Sequence, residues 1–168
     1  LCAMSRGGGI HLGYTDSMPT LKYTINTIGS GTAEVRPYKL IRTLDELRDN
    51  SYQGTLMLNN DLGSADTVTE FAPITTTPKY FDGLGYKIMN LKITSDGGSG
   101  LWRTLNSTNT VIENLTLVNP QVTSTSALAN VGTIAGTFNA NGGIMRNVHV
   151  ENGQVSYTAD SGITSTPS

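Results

Sequence analysis

The stretch Ile88-Met-Asn-Leu-Lys-Ile93 decides the fold, because its pattern returns twice further along the chain. Ile112-Glu-Asn-Leu-Thr-Leu117 and Met145-Arg-Asn-Val-His-Val150 also carry an apolar residue two positions before the Asn and apolar residues one and three positions after it. Recurrence of one short unit at intervals of a few tens of residues is typical of solenoids. The sequence therefore predicts stacked coils.

The spacing of the apolar residues predicts a corner in each copy. Ile88 and Leu91 are an odd number of positions apart, so a straight strand would turn them to opposite faces. Both reach a core only if the chain bends between them, and Asn tolerates the left-handed backbone that a bend needs. Stacked Asn amides can also hydrogen-bond as a ladder. We therefore expect one ladder through Asn90, Asn114 and Asn147.

The same alignment predicts which outward-facing residues are neighbours. One expected column contains Met89, Glu113 and Arg146, and the next contains Lys92, Thr116 and His149. Glu113 would then have Arg146 beside it and no second acid. We expect this surface ion pair to contribute less than about 1 kcal/mol.

The N-terminal part predicts a cap. Apolar and polar residues alternate from Leu21 to Ile25, which is typical of a half-buried strand. Ala33 to Val35 predict a second strand, ending before Pro37. Such strands can cover the open end of a solenoid. We therefore expect an N-terminal extension or cap over residues 1–40 and a parallel β-helix over 41–168, cut from a longer chain.

One short helix is also expected. Thr43-Leu-Asp-Glu46 is a capping box, in which the Thr hydroxyl accepts from the Glu amide and the Glu side chain reaches back. The helix should end between Asn50 and Gly54, and Thr55 to Leu58 should form a strand.

Composition limits the function. A chain of 168 residues suits one domain with a real core, and a net charge of −2 with 14% charged residues lacks the basic face that nucleic acid requires. No apolar run is long enough to cross a membrane. Cys2 is the single cysteine, so no internal disulfide forms. This polar, nearly uncharged composition favours an extracellular solenoid.

The repeats resemble the GLUG-type repeats of bacterial secreted and surface proteins. Besides the three Asn-centred copies, the matching pieces are Gly100-Leu-Trp102, Val131-Gly-Thr-Ile-Ala-Gly136 and Gly153-Gln-Val155. The lead-in is similar to the segment before such repeats in large adhesins and in immunoglobulin A1-specific metalloproteases. Its pieces are Ile41–Leu47, Leu56–Leu62, Phe71–Ile74 and Phe81–Ile88. The interval between the first two copies, from Asn90 to Asn114, is shorter than the family's pattern.

The resemblance implies a right-handed parallel β-helix, a hand that the rule for parallel connections also favours. It implies a non-catalytic stalk or binding module of an adhesin at the bacterial cell surface, with a protein or glycan of a host or neighbouring cell as partner. An alternative is the accessory N-terminal part of a secreted metalloprotease. That family carries its zinc motif in another domain, and nothing here matches the motif.

Chemistry-bearing residues are sparse. The histidines, His11 and His149, lack the spacing of a zinc helix. A pectate-lyase-like enzyme of polysaccharides, a further alternative, would cluster acids, whereas the scattered aspartates adjoin turn residues. These aspartates are Asp61, Asp66, Asp82 and Asp96. We therefore expect no catalytic residue, no metal and no cofactor. Two roles are compared for the aromatic residues Trp102, Tyr80 and Tyr86: a surface that binds a sugar, and packing in the core. We expect core packing.

The expected binding residues lie between the repeats. We place them in two loops, Val122 to Asn130 and Asn139 to Gly143, and name Thr123, Thr125, Asn139 and Asn141. Asn106, in Asn106-Ser-Thr108, is the expected glycosylation site. An open coil edge at Val150 to Ser156 also favours self-association.

Overall fold

Sixteen strands and one short helix make up the part of the chain that the computed structural model describes, residues 2–6, 9–13, 20–24, 34–49, 54–126 and 128–158, with side chains from residue 38 onward. The architecture is an all-β solenoid of about four turns, as expected. The strands are β1 Cys2–Arg6, β2 Gly9–Gly13, β3 Thr20–Thr24, β4 Glu34–Ile41, β5 Thr55–Leu58, β6 Leu62–Gly63, β7 Thr69–Phe71, β8 Tyr80–Asp82, β9 Lys87–Met89, β10 Leu91–Ser95, β11 Trp102–Leu105, β12 Val111–Val118, β13 Gln121–Ser124, β14 Ala135–Phe138, β15 Ile144–Glu151 and β16 Gln154–Tyr157.

The N-terminal strands form an antiparallel sheet joined to the solenoid by β4. β1 to β4 pair in chain order, and β4 then pairs in parallel with β5 from Lys39 onward. The expected end of a strand before Pro37 is wrong, because β4 continues to Ile41. Proline is tolerated there because position 37 lies before the parallel half of β4, so it has one partner strand and not two.

The helix α1, Leu44–Arg48, begins at the predicted capping box. The Glu46 amide donates to Thr43 Oγ1 over 3.1 Å, and Glu46 Oε2 accepts from the Arg42 amide over 2.6 Å. Leu47 is buried beneath the helix. The helix therefore packs two apolar side chains, Leu47 and the partly buried Leu44, on the solenoid core, and the predicted strand β5 follows it.

Stacked parallel strands form the solenoid, and its four coils run from β5 to β7, from β8 to β11, from β12 to β14 and from β15 to β16. β5, β8, β12 and β15 lie in one stack, and β6 and β9 extend it beneath the second half of β12. β7, β10, β13 and β16 form a second sheet, and β11 pairs with β14 in a third. The last two coils are in register at an offset of 33 residues, as Asn114 and Asn147 illustrate.

Inward rows of apolar side chains build the core. Phe81 lies beneath Ile112, and both are fully buried. The Trp102 ring meets the Phe81 ring edge to face, with centroids 5.1 Å apart and an interplanar angle of 79°. Trp102 is 1% exposed, so its predicted role in core packing is confirmed. Edge-to-face aromatic pairs add about 0.5–1.5 kcal/mol beyond the burial of their area.

The register of the first repeat copy differs from the expectation. Ile88 pairs with Leu117 rather than Ile112, so Asn90 aligns with Asn119 and not with Asn114. Met89 therefore lies beside Val118.

The predicted columns change accordingly. Asp82 takes the expected place of Met89 beside Glu113, and Lys87 takes the place of Lys92 beside Thr116. Lys92 pairs with Gln121 in the second sheet. The last two members of each column are neighbours as predicted, because β12 and β15 pair Glu113 with Arg146 and Thr116 with His149.

The register of the first repeat copy was misassigned because two different corners of a coil share the same pattern of flanking residues. Each of the last two coils has two left-handed Asn corners, and both are flanked by inward apolar residues. The second coil builds its first corner without Asn, from Leu84 at φ 50° and Gly85 at φ 79°. The preceding position, Gly83, requires glycine, because a Cβ there would come within 2.4 Å of the Asn114 carbonyl oxygen.

Candidate functional site

Left-handed asparagines mark the corners of the solenoid. As predicted, Asn90 separates two short strands, β9 and β10. The corner asparagines and their φ angles are Asn90 at 52°, Asn114 at 53°, Asn119 at 50°, Asn147 at 51° and Asn152 at 52°. A non-glycine residue with positive φ is uncommon, and Asn is among the residues that adopt it most readily. The corners are therefore encoded locally, by residue type.

One ladder of side-chain amides runs through the first corner. Asn147 Nδ2 donates to Asn114 Oδ1 over 2.8 Å, and Asn114 Nδ2 donates to Asp82 Oδ1 over 3.0 Å. Asp82 Oδ1 also accepts from the Leu84 amide over 2.8 Å. Asp82 Oδ1 thus accepts both bonds and ends a ladder whose donors all point toward the N-terminus.

A second ladder runs through the second corner. Asn152 Nδ2 donates to Asn119 Oδ1 over 3.1 Å, and Asn119 Nδ2 donates to Asn90 Oδ1 over 2.9 Å. Asn90 Nδ2 then donates to the carbonyl oxygens of Ser64 and Ala65, each 2.7 Å away. This ladder also points toward the N-terminus, and it ends on backbone acceptors.

Three ladder members were missed from the sequence. They are Asp82, Asn119 and Asn152, and the single expected column through Asn90, Asn114 and Asn147 is wrong because Asn90 belongs to the second ladder. Asn114 and Asn147 do stack. The sequence did indicate the second ladder, since Asn119 follows Asn114 by five positions and Asn152 follows Asn147 by five.

Two carboxylates are strand neighbours, contrary to the expectation that Glu113 has no acidic neighbour. β8 places Asp82 directly beneath Glu113. Asp82 is 1% exposed and bonded within the corner, and Glu113 Oε2 lies 2.6 Å from Arg146 Nη2. The Glu113–Arg146 neighbour relation is confirmed. Asp82 lies within the corner and does not face a solvent-filled cleft.

The other aspartates are dispersed. Asp61 is exposed and its Oδ1 accepts from the Lys87 amide over 2.8 Å, while Asp66 and Asp96 lie exposed in separate bends. Across the described residues, no three or more His, Cys, Asp or Glu side chains come together where a metal ion could be held. His149 is exposed, and its Nε2 lies 3.0 Å from Asn147 Oδ1.

The expected binding residues have mixed placements. Thr123 lies within β13, where its hydroxyl hydrogen-bonds that of Ser156 over 2.9 Å, so its assignment to a loop is wrong. Thr125 follows β13 and is exposed. Asn139 and Asn141 are exposed in the connection between β14 and β15, as predicted.

The connection after β13 carries the most exposed large apolar side chain of the described residues. Leu128 is 97% exposed. The connection stacks on the shorter one after β10, where the Ser99 amide donates to the Asn130 carbonyl over 3.0 Å. The extra residues of the third coil therefore lie around Leu128, on one flank of the solenoid.

Asn106 follows β11 and is exposed. Its Oδ1 accepts from Thr77 Oγ1 over 3.0 Å, which holds the amide oxygen against the first coil. The predicted role of Asn106 in glycosylation remains a prediction.

Compared with models of known protein families, with curated proteins and with solved structures, the chain matches none. Within the described residues, no helix has the length and apolar character needed to cross a membrane.

Proposed function

We propose that this chain is a non-catalytic β-helical segment of a secreted or surface-anchored bacterial adhesin, serving as stalk and binding module. The observation that carries the proposal is the continuous stacking of coils from β5 to β16, with an amide ladder along each of two corners. A stack in which each coil hydrogen-bonds the next resists bending, which suits a part that holds a binding surface away from a cell.

The strands form the stack, so the segments that connect them can carry the residues that recognise a partner. Insertions in repeat proteins collect on one face, and that face is often the binding face. Here the insertion surrounds Leu128, and Thr125 and Asn130 beside it are also exposed. An exposed apolar side chain of this size gains free energy when a partner removes it from water. We therefore place the contact with a partner-cell protein or glycan on this flank, with the Asn139 to Gly143 turn as a second contact.

The test is adhesion of the purified chain to host cells, bacterial cells, extracellular matrix and a glycan array. We expect saturable binding to one of these, and at least about a tenfold loss in Leu128→Ser, because burial of a leucine side chain contributes about 1.5–3 kcal/mol. Val68→Ser is the matched control, because Val68 is an exposed apolar residue of the first coil, at 47%. Absence of binding to every surface would overturn the adhesive role, and equal loss in both variants would remove it from the Leu128 flank.

A further inference from the structure

The sequence contains two Asn-Gly dipeptides, Asn141-Gly142 and Asn152-Gly153. Asparagine is among the chemically labile residues of proteins. In this dipeptide the backbone nitrogen of the glycine can attack the side-chain amide carbon of the asparagine, because glycine has no Cβ to hinder the approach. Both asparagines are exposed, so exposure does not separate them. Their hydrogen bonds do.

The first dipeptide lies in a tight turn and has unrestrained reacting groups. Asn141 and Gly142 are the central residues of this turn, in which the Gly143 amide donates to the Ala140 carbonyl oxygen over 3.0 Å. Within the described part of the chain, the Asn141 side chain forms no hydrogen bond and the Gly142 amide donates none. The attacking nitrogen and the side-chain amide are therefore both free of partners that would hold them apart.

The stacking of turns requires the glycine of this dipeptide. Gly142 has a φ of 68°, and a Cβ there would come within 2.3 Å of the side-chain oxygen of Asn109. The turn at Asn109 lies against this one, since the Asn109 amide donates to the Asn141 carbonyl oxygen over 2.9 Å. The fold therefore maintains the residue that leaves Asn141 open to attack.

The second dipeptide is restrained by the second ladder. Asn152 Nδ2 donates to Asn119 Oδ1 over 3.1 Å. Attack by the Gly153 nitrogen expels Nδ2, which is the atom that donates this bond. The bond must therefore break along the reaction path, and its free energy adds to the barrier at Asn152 but not at Asn141.

We propose that Asn141 is a site of spontaneous deamidation in the folded chain and that the second ladder protects Asn152 from the same reaction. The Gly142 nitrogen gives its proton to hydroxide and bonds to Asn141 Cγ. The bond from Cγ to Nδ2 then breaks, and Nδ2 takes a proton from water and leaves as ammonia. Water opens the cyclic imide at Cγ to give aspartate, or at the main-chain carbonyl to give isoaspartate. No atom is oxidised or reduced.

The reaction changes the turn in two ways. Either product adds one negative charge to a chain whose formal net charge is −2. Isoaspartate also lengthens the main chain by one carbon before Gly142, and the carbonyl that accepts from Asn109 becomes part of the new carboxylate. We therefore expect the contact between the two turns to loosen as isoaspartate forms. The reaction does not depend on the adhesive role.

The test is incubation of the full 168-residue chain at mildly alkaline pH, followed by tryptic peptide mapping with mass spectrometry. Cleavage after Arg103 and Arg146 places the two dipeptides in separate peptides, 104–146 and 147–168. Exchange of the amide NH2 for a hydroxyl raises the peptide mass, and fragmentation locates the change. We expect Asn141 to convert about five- to tenfold faster than Asn152, the factor that one net hydrogen bond supplies.

Three comparisons separate the structural effect from the sequence effect. In guanidinium chloride, both dipeptides should react at similar rates, because the ladder is lost. Asn119→Gly removes the acceptor of Asn152 and should raise its rate to about that of Asn141 in a chain whose circular dichroism is unchanged. Asn141→Gln should abolish the conversion at that position, because the longer side chain would have to close a larger ring.

The proposal is overturned if Asn141 does not convert in the native chain, or if Asn152 converts as fast as Asn141 there. A rate difference that persists in guanidinium chloride would also overturn it, because the ladder would then not be the cause. Adhesion is read from Leu128→Ser and deamidation from peptide masses, so the two proposals fail separately.

Discussion

Asn119 donates a hydrogen bond from its side-chain nitrogen to the side-chain oxygen of Asn90, 2.9 Å away and 29 residues earlier in the chain. Both residues have positive φ, so each forms a corner and a rung of the ladder. The bond joins backbone conformation to coil stacking, because the residue that forms the bend also carries the amide that contacts the neighbouring coil. Each corner residue therefore contributes both to the local bend and to the inter-coil register.

Replacing Asn119 should separate these two contributions. Asn119→Ala loses the bonds to Asn90 and Asn152 and strains the left-handed backbone, so we expect a loss of about 2–4 kcal/mol in the free energy of unfolding. Asn119→Gly loses only the bonds and should cost about half as much, because glycine adopts positive φ without strain. Urea denaturation measures both. Asn109→Ala, at an exposed turn with φ 57°, is the control for backbone strain alone. Equal losses in the alanine and glycine variants would contradict the account.

Replacing Asp82 should expose the end of the first ladder. Asp82→Ala leaves the Asn114 amide and the Leu84 N–H without their acceptor in a buried site, and an unsatisfied buried donor costs about 1–3 kcal/mol. Asp82→Asn keeps an acceptor oxygen, so it should cost less. The control is Asp96→Ala, since the Asp96 side chain is 92% exposed. Thermal and urea unfolding compare the three variants, and an Asp82→Ala effect no larger than that of the control would rule out this role.

The Glu113–Arg146 ion pair should couple more strongly than the Lys92–Glu70 pair. The Glu113 side chain is 12% exposed, whereas Lys92 and Glu70 are 47% and 70% exposed, so solvent screens the first pair less. Double-mutant cycles with Gln replacements should give a coupling of about 1 kcal/mol for the first pair and a few tenths for the second. Raising the salt concentration should reduce the second coupling more. Equal coupling energies would show that burial does not set the difference.

Trp102 offers a direct optical check of the core, because it is the only tryptophan. Its fluorescence should be blue-shifted in the native chain and poorly quenched by acrylamide, since the side chain is buried against Phe81. Trp102→Ala should destabilise the chain by about 3–5 kcal/mol, and Trp102→Phe by less. A red-shifted, readily quenched emission would instead support an exposed aromatic platform.

The fold was predictable because the bend at Asn90 follows from the odd number of positions between two apolar residues. Ile88 and Leu91 reach the core only if the chain turns between them, and both are buried. The register was not predictable in the same way, because two corners of one coil share the flanking pattern. The first corner of the second coil was not recognised, because Asp82 and a glycine-rich turn stand there in place of the expected Asn. The extent of β4 across Pro37 depends on its partner strands, which a local pattern does not reveal.

The candidate site was less predictable than the fold. The turn around Asn141 follows from its Gly neighbours, but Leu128 gave no signal, because a leucine in a short apolar run does not reveal its exposure. Thr123 was misplaced because β13 continues to Ser124 through its pairing with β16, which the sequence of β13 does not reveal. Exposure and partner strands are properties of the stacked coils, so they appear only in three dimensions.

The register of the ladders is the central claim, and engineered disulfides test it most directly. With Cys2 replaced by Ser, cysteines at positions 90 and 119 should form a disulfide under mild oxidation, because adjacent strands bring these residues within bridging range. Cysteines at positions 90 and 114 should stay reduced as a matched pair. Peptide mapping by mass spectrometry distinguishes the two outcomes. A disulfide in the 90–119 pair alone is the predicted result, and one in the 90–114 pair alone would contradict the stacking described.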